Sequence, residues 1–399
     1  MSRSDAKLKI GFIPLVDAAA LIVAADKGFT AQEGLDVELV REVSWSNIRD
    51  KLNIGLFDAA HLLSPMAVAS SLGIGHVRVP LVVPFNLAFN GNAITVTPDL
   101  MEALREGADG ELADPAVSAR ALAGVVAARK ARGLEPLTFG MTFPFSHHNY
   151  QLRFWMAAGG VDPDEDVRLV VLPPPYMVES LASRHVDGFC VGAPWNSVAV
   201  DRGIGRILHF GCDIQARSSE KVLAVRETWA HGNPERLTRL LSALRLAADF
   251  IEDPANRGAV AEMLAAPNRI AVPSPLIRGT LAGELAVAPG GTRRSSPRYL
   301  RIGGRGDTRP APLQAAWIYA QMVRWGQAPL SPELLMTARS VYRPDLYDAA
   351  IGHTDGRPDE AAGDGIGAFA GPPFNPVAVT QYLSAWTRIP RDRPRLVTE

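Results

Sequence analysis

Apolar residues recur along this chain in short blocks whose spacing alternates between the strand and the helix period. Lys9–Pro14 is an apolar run of strand length, and Asp17–Lys27 carries a helical pattern that stops at Gly28. Leu35–Val43 predicts a second strand and Ser46–Ile54 a second helix. Phe57–Leu63 predicts a third strand, followed by a helix that opens at Ser64-Pro65, with proline at its favoured first position. Strands alternating with helices of about ten residues imply βαβ units and a parallel sheet.

The pattern then restarts. Thr138–Thr142, Arg168–Leu172 and Val186–Val191 predict strands, with helices at Ser146–Ala158 and Tyr176–Arg184 between them. Phe57–Pro65 and Val186–Pro194 also look alike: each places an Asp (58 or 187) before a buried strand, and a small residue plus proline where the next helix opens. Common βα grammar produces such likeness by chance too, but two lobes of similar design are the expectation. Leu100–Arg132 reads as helical, as do Glu235–Ile251, Arg257–Ala265, Pro312–Trp325 and Pro332–Val341. The Gly/Arg/Pro/Ser-rich stretch Ala288–Pro312 has no period and predicts a long solvated loop, its arginines being a weaker candidate for a phosphate patch. The Gly/Pro-rich tail Gly363–Pro373 is expected to lie over the surface.

Size agrees with two lobes, because 399 residues exceed the roughly 250–300 at which one core stops growing. A formal net charge of −1 gives no whole-molecule field for nucleic acid or a membrane surface, so any anion must be held locally. No stretch reaches the ~20 apolar residues of a membrane span. Met1–Lys9 leads straight into the first strand without the apolar run of about 7–15 residues that a secretory signal needs. The expectation is a cytoplasmic protein, with a mature exported protein as the alternative. Cys190 and Cys212 belong to no Cys-x-x-Cys pair and read as buried, inert thiols. There is no Gly-x-Ser-x-Gly, no Walker loop and no metal-spaced His/Cys cluster, so neither an enzyme nor a cofactor is expected.

Ligands of open α/β sheets sit beyond the carboxyl ends of strands, where helix N-termini offer free N–H groups. Four segments supply unusual groups there: Ser44-Trp45-Ser46, Ser146-His147-His148-Asn149, Gly192-Ala193-Pro194-Trp195 and Glu220-Lys221. Trp45 offers one indole donor and a flat face suited to a planar anion, although a tryptophan there also covers a core edge. His148 falls in the first turn after the expected cap Ser146, where a histidine is often only a satisfied polar residue. Lys221 stands in an apolar run, and the chain has 6 lysines among its 41 basic residues. A compact ammonium kept where arginine is the rule suits a small closed pocket, and once buried it needs an anionic partner. A rim lysine with a buried stem remains open on these residues alone.

Taken together, these stretches resemble the nitrate/nitrite solute-binding proteins of ABC transporters, a group that also contains bicarbonate binders. The likeness runs over about residues 7–350 and is most specific at Leu8–Pro14, Asn90–Val96, Phe143–Asp164, Gly188–Asn196 and Glu220–Val225. It implies a periplasmic-binding-protein-like fold of type II: two α/β lobes on a hinge with the ligand in the cleft. Residues 1–95 with about 210–399 would form the first lobe and 96–209 the second, with hinge strands near Ile94–Val96 and Ile207–Phe210. The family's nitrate site uses a tryptophan, a glutamine, a histidine, a glycine amide and a lysine. By resemblance these fall on Trp45, Asn92, His148, Gly192 and Lys221, with Trp45, Asn92 and Lys221 on or near the first lobe. Asn92 is one methylene shorter than the family's glutamine, and Ala193 replaces the acidic residue usual after the glycine. The bicarbonate relatives bind a metal and lack the lysine, so Lys221 favours nitrate or nitrite with no metal. The leaderless start further resembles cytoplasmic sensors of the NasS kind, which hold an RNA-binding antiterminator regulator of the NasT kind and release it when the anion binds. The alternative is the solute-binding component of a nitrate/nitrite ABC transporter.

Overall fold

The computed structural model describes residues 7–304, 307–352 and 366–386. Its strands are β1 Leu8–Phe12, β2 Val37–Arg41, β3 Ala59–Leu63, β4 Leu81–Asn90, β5 Asn92–Val96, β6 Thr138–Met141, β7 Arg168–Val171, β8 Gly188–Gly192, β9 Arg206–Phe210, β10 Ser219–Arg226, β11 Glu284–Ala286, β12 Arg293–Ser295 and β13 Leu300–Arg301. They form two sheets, ordered β13-β4-β10-β3-β1-β2 and β7-β6-β8-β5-β9, plus the small β11-β12 pair. Omitting the edge strand β13, the two orders correspond strand for strand. The lobes share one design.

The Asp-led repeat shows why. Lys9 N–H donates to Asp58 Oδ2 at 2.9 Å, and Thr138 N–H to Asp187 Oδ2 at 2.8 Å. In return Asp58 N–H reaches Lys9 O and Asp187 N–H reaches Thr138 O. Each aspartate thus ties the start of one strand to its parallel neighbour, β3 to β1 and β8 to β6. That local likeness in sequence reports a real equivalence of position.

The sheets are mixed, where the sequence pattern implied parallel ones. β10 runs antiparallel to β3 and β4, and β5 runs antiparallel to β8 and β9. The cause is that the chain crosses between lobes twice, so the strand following each crossing enters its sheet from the opposite end. The expected loop Ala288–Pro312 also contains β12 and β13. Three of its arginines face carboxylates: Arg294 meets Asp213, Arg301 meets Asp307 and Arg309 meets Asp348. Of the tail, residues 363–365 lie outside the described residues. Past them, Phe369 N–H donates to Ile214 O at 2.7 Å and Ala368 bridges to Gln215, so residues 366–373 lie against the second crossing.

The crossings lie at Asn90-Gly91 and at residues 211–218. The segments expected as hinge strands pair with each other as β5 and β9 inside the second sheet. Asn90 and Gly91 both adopt left-handed backbone, φ 58° and 94°, the first being uncommon for any residue but glycine and asparagine. The Asn90 side chain clamps the crossings together: its Nδ2 donates to Ala216 O and Arg298 O, and its Oδ1 accepts Ser218 N–H at 2.8 Å. Asn90→Ala loses three hydrogen bonds and strains the left-handed turn. It is expected to lower stability by about 2–4 kcal/mol in urea denaturation. Asn90→Gly, which relieves the strain only, should lose less.

Candidate functional site

Where the lobes meet, Val16 N–H donates to Ala193 O at 2.9 Å and Trp195 Nε1 to Pro14 O at 3.2 Å. Beside these contacts lies a sealed cluster of polar side chains. Asp17, His61, Asn92, His148, Gln151, Glu220 and Lys221 are all buried there at 2% exposure or less, with Trp45 at 1%.

Two capped helices bring in the first ligand candidates. Ser44 Oγ accepts Asn47 N–H at 3.2 Å, which starts the helix Trp45–Asn53 and sets Trp45 in its first turn. Ser146 Oγ accepts Asn149 N–H at 3.1 Å, which starts the helix His147–Ala158 and buries His148 in its first turn. Lys221 comes from β10. Between Ser219 and Lys221 the pairing of β10 with β4 slips, so that Glu220 is an extra residue without its own β4 partner. Such a bulge re-aims side chains. Glu220 and Lys221, which would point to opposite faces of a regular strand, here meet each other at 3.0 Å.

Lys221 is the centre of the cluster. Its Nζ lies 3.0 Å from Asp17 Oδ2 as well as from Glu220 Oε1, and 5.6 Å from the Trp45 ring centroid. The anionic partner that a buried lysine requires is therefore supplied twice by the protein itself. Asp17 Oδ1 also lies 2.9 Å from His61 Nε2, while His61 Nδ1 accepts from Ile13 N–H at 3.4 Å. Glu220 Oε1 is 3.6 Å from His148 Nδ1, which is 3.0 Å from Thr142 Oγ1. Burial alone would raise the Asp17 carboxyl, but Lys221 and the His61 hydrogen bond outweigh it and hold the group below its ordinary value. Burial likewise opposes the charge on Lys221, and Asp17 with Glu220 overcomes this, leaving its pKa raised. His148 goes the other way: burial, Lys221 and His147 push it well below the ordinary histidine value, so it is neutral. Burial also lowers His61, with Asp17 offsetting part of the effect.

All five residues expected from the sequence fall on this cluster, but one of them from the other lobe. Asn92 belongs to β5 in the second sheet, paired with Gly192, where the expectation put it with the first lobe. The reason is that the chain has already crossed at Gly91. A Cβ on Gly192 would lie 3.3 Å from Asp17 Oδ2 and 3.6 Å from Asn92 Oδ1, so any side chain there would enter the cluster. Of the cluster's buried polar atoms, Trp45 Nε1, His148 Nε2, Asn92 Oδ1 and Glu220 Oε2 make neither a hydrogen bond nor an ion pair. Buried polar groups seldom go without partners unless a ligand or water meets them. Sequence reasoning missed Asp17, His61 and Gln151. Asn92 Nδ2 donates to Gln151 Oε1 at 3.2 Å, so a glutamine does stand at this site, supplied by a helix. Its signal was legible, because Gln151 lies three residues after His148 and so shares its helix face. Cys190 and Cys212 are free and buried, and Cys190 Sγ is 3.5 Å from Gln151 Oε1. Among the described residues, no group of three or more His, Cys, Asp or Glu could hold a metal ion, and no helix is long and apolar enough to cross a membrane.

Removing one partner of a buried charge pair strands the rest. Lys221→Ala is expected to cost about 3–5 kcal/mol in urea denaturation, and Asp17→Asn in the same chain should return part of it. The Asp17 contribution is present above the ordinary carboxylate pKa of about 4 and is lost as pH falls through the lower folded value. The Lys221 contribution is full below the ordinary lysine value and fades only as pH rises through the higher folded one.

Comparison with known proteins fits this geometry. Residues 2–265 match the NMT1-like family. The chain is 31% identical over 388 residues to the nitrate/nitrite binding protein NrtA of Nostoc sp. strain PCC 7120, covering 95% of this chain and 85% of that one. It is 33% identical over 353 residues to the bicarbonate transport ATP-binding protein CmpC of Synechococcus elongatus, covering 86% of this chain. The chain spans about half the length of such ATP-binding relatives, 49% of CmpC. The crystal structure of the periplasmic nitrate-binding protein NrtA from Synechocystis PCC 6803 superposes with a TM-score of 0.84 at 26% identity, over 96% of this chain and 98% of that one. The chain belongs to the NMT1-like family, and within it to the two-lobed, periplasmic-binding-protein-like solute-binding proteins that NrtA represents.

Proposed function

We propose that this protein binds nitrate or nitrite between its lobes and releases it unchanged, as the solute-binding component of an ABC importer. The observation that carries this is the set of unpartnered buried groups at two helix starts, Trp45 Nε1 and His148 Nε2, beside the Lys221 ammonium. Indole N–H, imidazole N–H and ammonium are all donors that a small planar oxoanion can accept from, and helix N-termini add their own positive end. Trp45 and Lys221 come from the first lobe, and Asn92, His148 and Gly192 from the second. An anion touched by both favours their closed arrangement. Micromolar affinity needs about 8 kcal/mol, within reach of one ion pair and four or five donors.

Bicarbonate is the competing ligand, because relatives at similar identity include a bicarbonate transport protein. Lys221 and the lack of a metal-holding group among the described residues favour nitrate and nitrite. The transport roles of the relatives favour the transport component over the cytoplasmic sensor that holds an antiterminator regulator. Both would use the same cleft.

Calorimetry and thermal melts test the ligand. Nitrate and nitrite should raise the melting temperature, because an ion bound only to the folded state stabilises it. Trp45→Phe, which keeps the ring and loses the donor, should weaken nitrate about tenfold. A larger shift with bicarbonate plus calcium would overturn the ligand. A pull-down in nitrate-free medium tests the role: capture of a permease supports the importer, whereas an RNA-binding regulator shed on adding nitrate would establish the sensor.

A further inference from the structure

The cluster around Lys221 holds more negative than positive charge. Asp17 Oδ2 and Glu220 Oε1 each lie 3.0 Å from one ammonium, Lys221 Nζ. At ordinary ionisation the three side chains sum to one negative unit before any anion enters. A monoanion would raise that to two, in a region from which water is excluded. Uncompensated buried charge is costly, and proteins relieve it by shifting a protonation state.

The groups that face one another here come from several elements, and they differ in their room for a proton. From β3, His61 has both ring nitrogens engaged: Nε2 serves Asp17 Oδ1, and Nδ1 faces the Ile13 N–H, where a second ring proton would meet a donor. From β8, the Cys190 thiol is pushed well up by burial and stays neutral, with no site for a further proton. His147, on the same helix as His148, turns Nδ1 to Gln215 Oε1 at 3.1 Å and stacks on Trp317; its Nε2 is also unpartnered and Glu220 favours its charge, but it makes no ion pair with Glu220. His148 is placed differently. Its Nδ1 side faces Thr142 Oγ1 at 3.0 Å and Glu220 Oε1 at 3.6 Å, both of which can accept, while its buried Nε2 has no partner. Protonated, the ring would donate from Nδ1 toward Thr142 and Glu220 and from Nε2 to the anion. Its positive charge would then lie between two negative ones.

We propose that the cleft takes up its anion together with one proton, Asp17 and Glu220 creating the demand and His148 meeting it. The inference rests on the anion-binding reading above. The only bond formed is one ring N–H: a proton given up by solvent or buffer adds to the His148 ring as the anion arrives, and returns when it leaves. Neutral in the free protein because of burial, Lys221 and His147, the ring becomes easier to protonate once an anion sits beside it. Two consequences follow. Affinity falls as pH rises through the range in which the free ring is neutral and the bound ring charged. Selectivity favours monoanions, because a dianion would add a further negative charge to a cluster that already holds more negative than positive charge.

The test is nitrate calorimetry in two buffers of different ionisation enthalpy, phosphate and Tris, repeated between about pH 6 and about pH 9. The expected result is close to one proton taken up per nitrate, with affinity falling about tenfold per pH unit. Asp17→Asn removes the excess negative charge and should flatten the pH profile, with little proton uptake left. His148→Gln keeps a side-chain donor but holds no proton, so it should bind more weakly and without pH dependence. Nitrate binding in the wild-type chain with no proton uptake and a flat profile overturns the inference and leaves the anion site standing. Uptake that persists in His148→Gln overturns His148 as the acceptor. A wild-type chain that binds neither nitrate nor nitrite at any pH refutes the anion-binding reading itself, and this inference with it.

Discussion

Keeping one lysine charged out of contact with water is the constraint around which this structure is arranged. Lys221 is fully buried, and an ammonium so placed survives only with partners of opposite charge at close range. Asp17 and Glu220 both meet that need, and each depends on a particular backbone feature. Glu220 reaches the lysine because β10 bulges against β4, and Asp17 because a 3-10 turn, Val16–Ala18, precedes the first helix and buries its side chain. His61 then fixes Asp17 from the neighbouring strand. The site is an ionic network first, and its ligand groups are fitted around it.

The two lobes show how one design becomes two halves of a cleft. Both build the β3/β8 position alike, with Asp58 and Asp187 pinning the strand starts. They differ at the other ends of those strands. β3 runs into a helix at Ser64, and Ser64 donates to the carbonyl of Ser219 next to the Glu220 bulge. β8 ends at Gly192, whose lack of a side chain leaves room for Asp17 and Asn92 from either side. This difference falls where a ligand would be met.

Much of this was legible in the sequence. Period and capping residues gave the parallel βα units, and Ser44 and Ser146 do cap the helices that carry Trp45 and His148. Composition made Lys221 conspicuous. The antiparallel strands were harder to read, because a buried strand run has the same composition whichever way it is entered, and direction is set by the lobe crossing at Asn90-Gly91. That same crossing, four residues before the expected boundary at 95, is why Asn92 belongs to the second sheet. β12 and β13 were hidden because their pairing is made by backbone groups in a Gly- and Arg-rich stretch with no apolar alternation. Asp17 was read only as the start of a helix, since no local pattern announces that a carboxylate will be buried against a lysine some 200 positions later.

The most direct test of the account is a crystal structure of the protein grown with nitrate. The account predicts the anion inside the Lys221 cluster, within hydrogen-bond distance of Trp45 Nε1, His148 Nε2 and Lys221 Nζ, with Asp17 still engaged by His61. An anion bound elsewhere, with the Lys221–Asp17–Glu220 contacts unchanged and Trp45 Nε1 still without a partner, would contradict it.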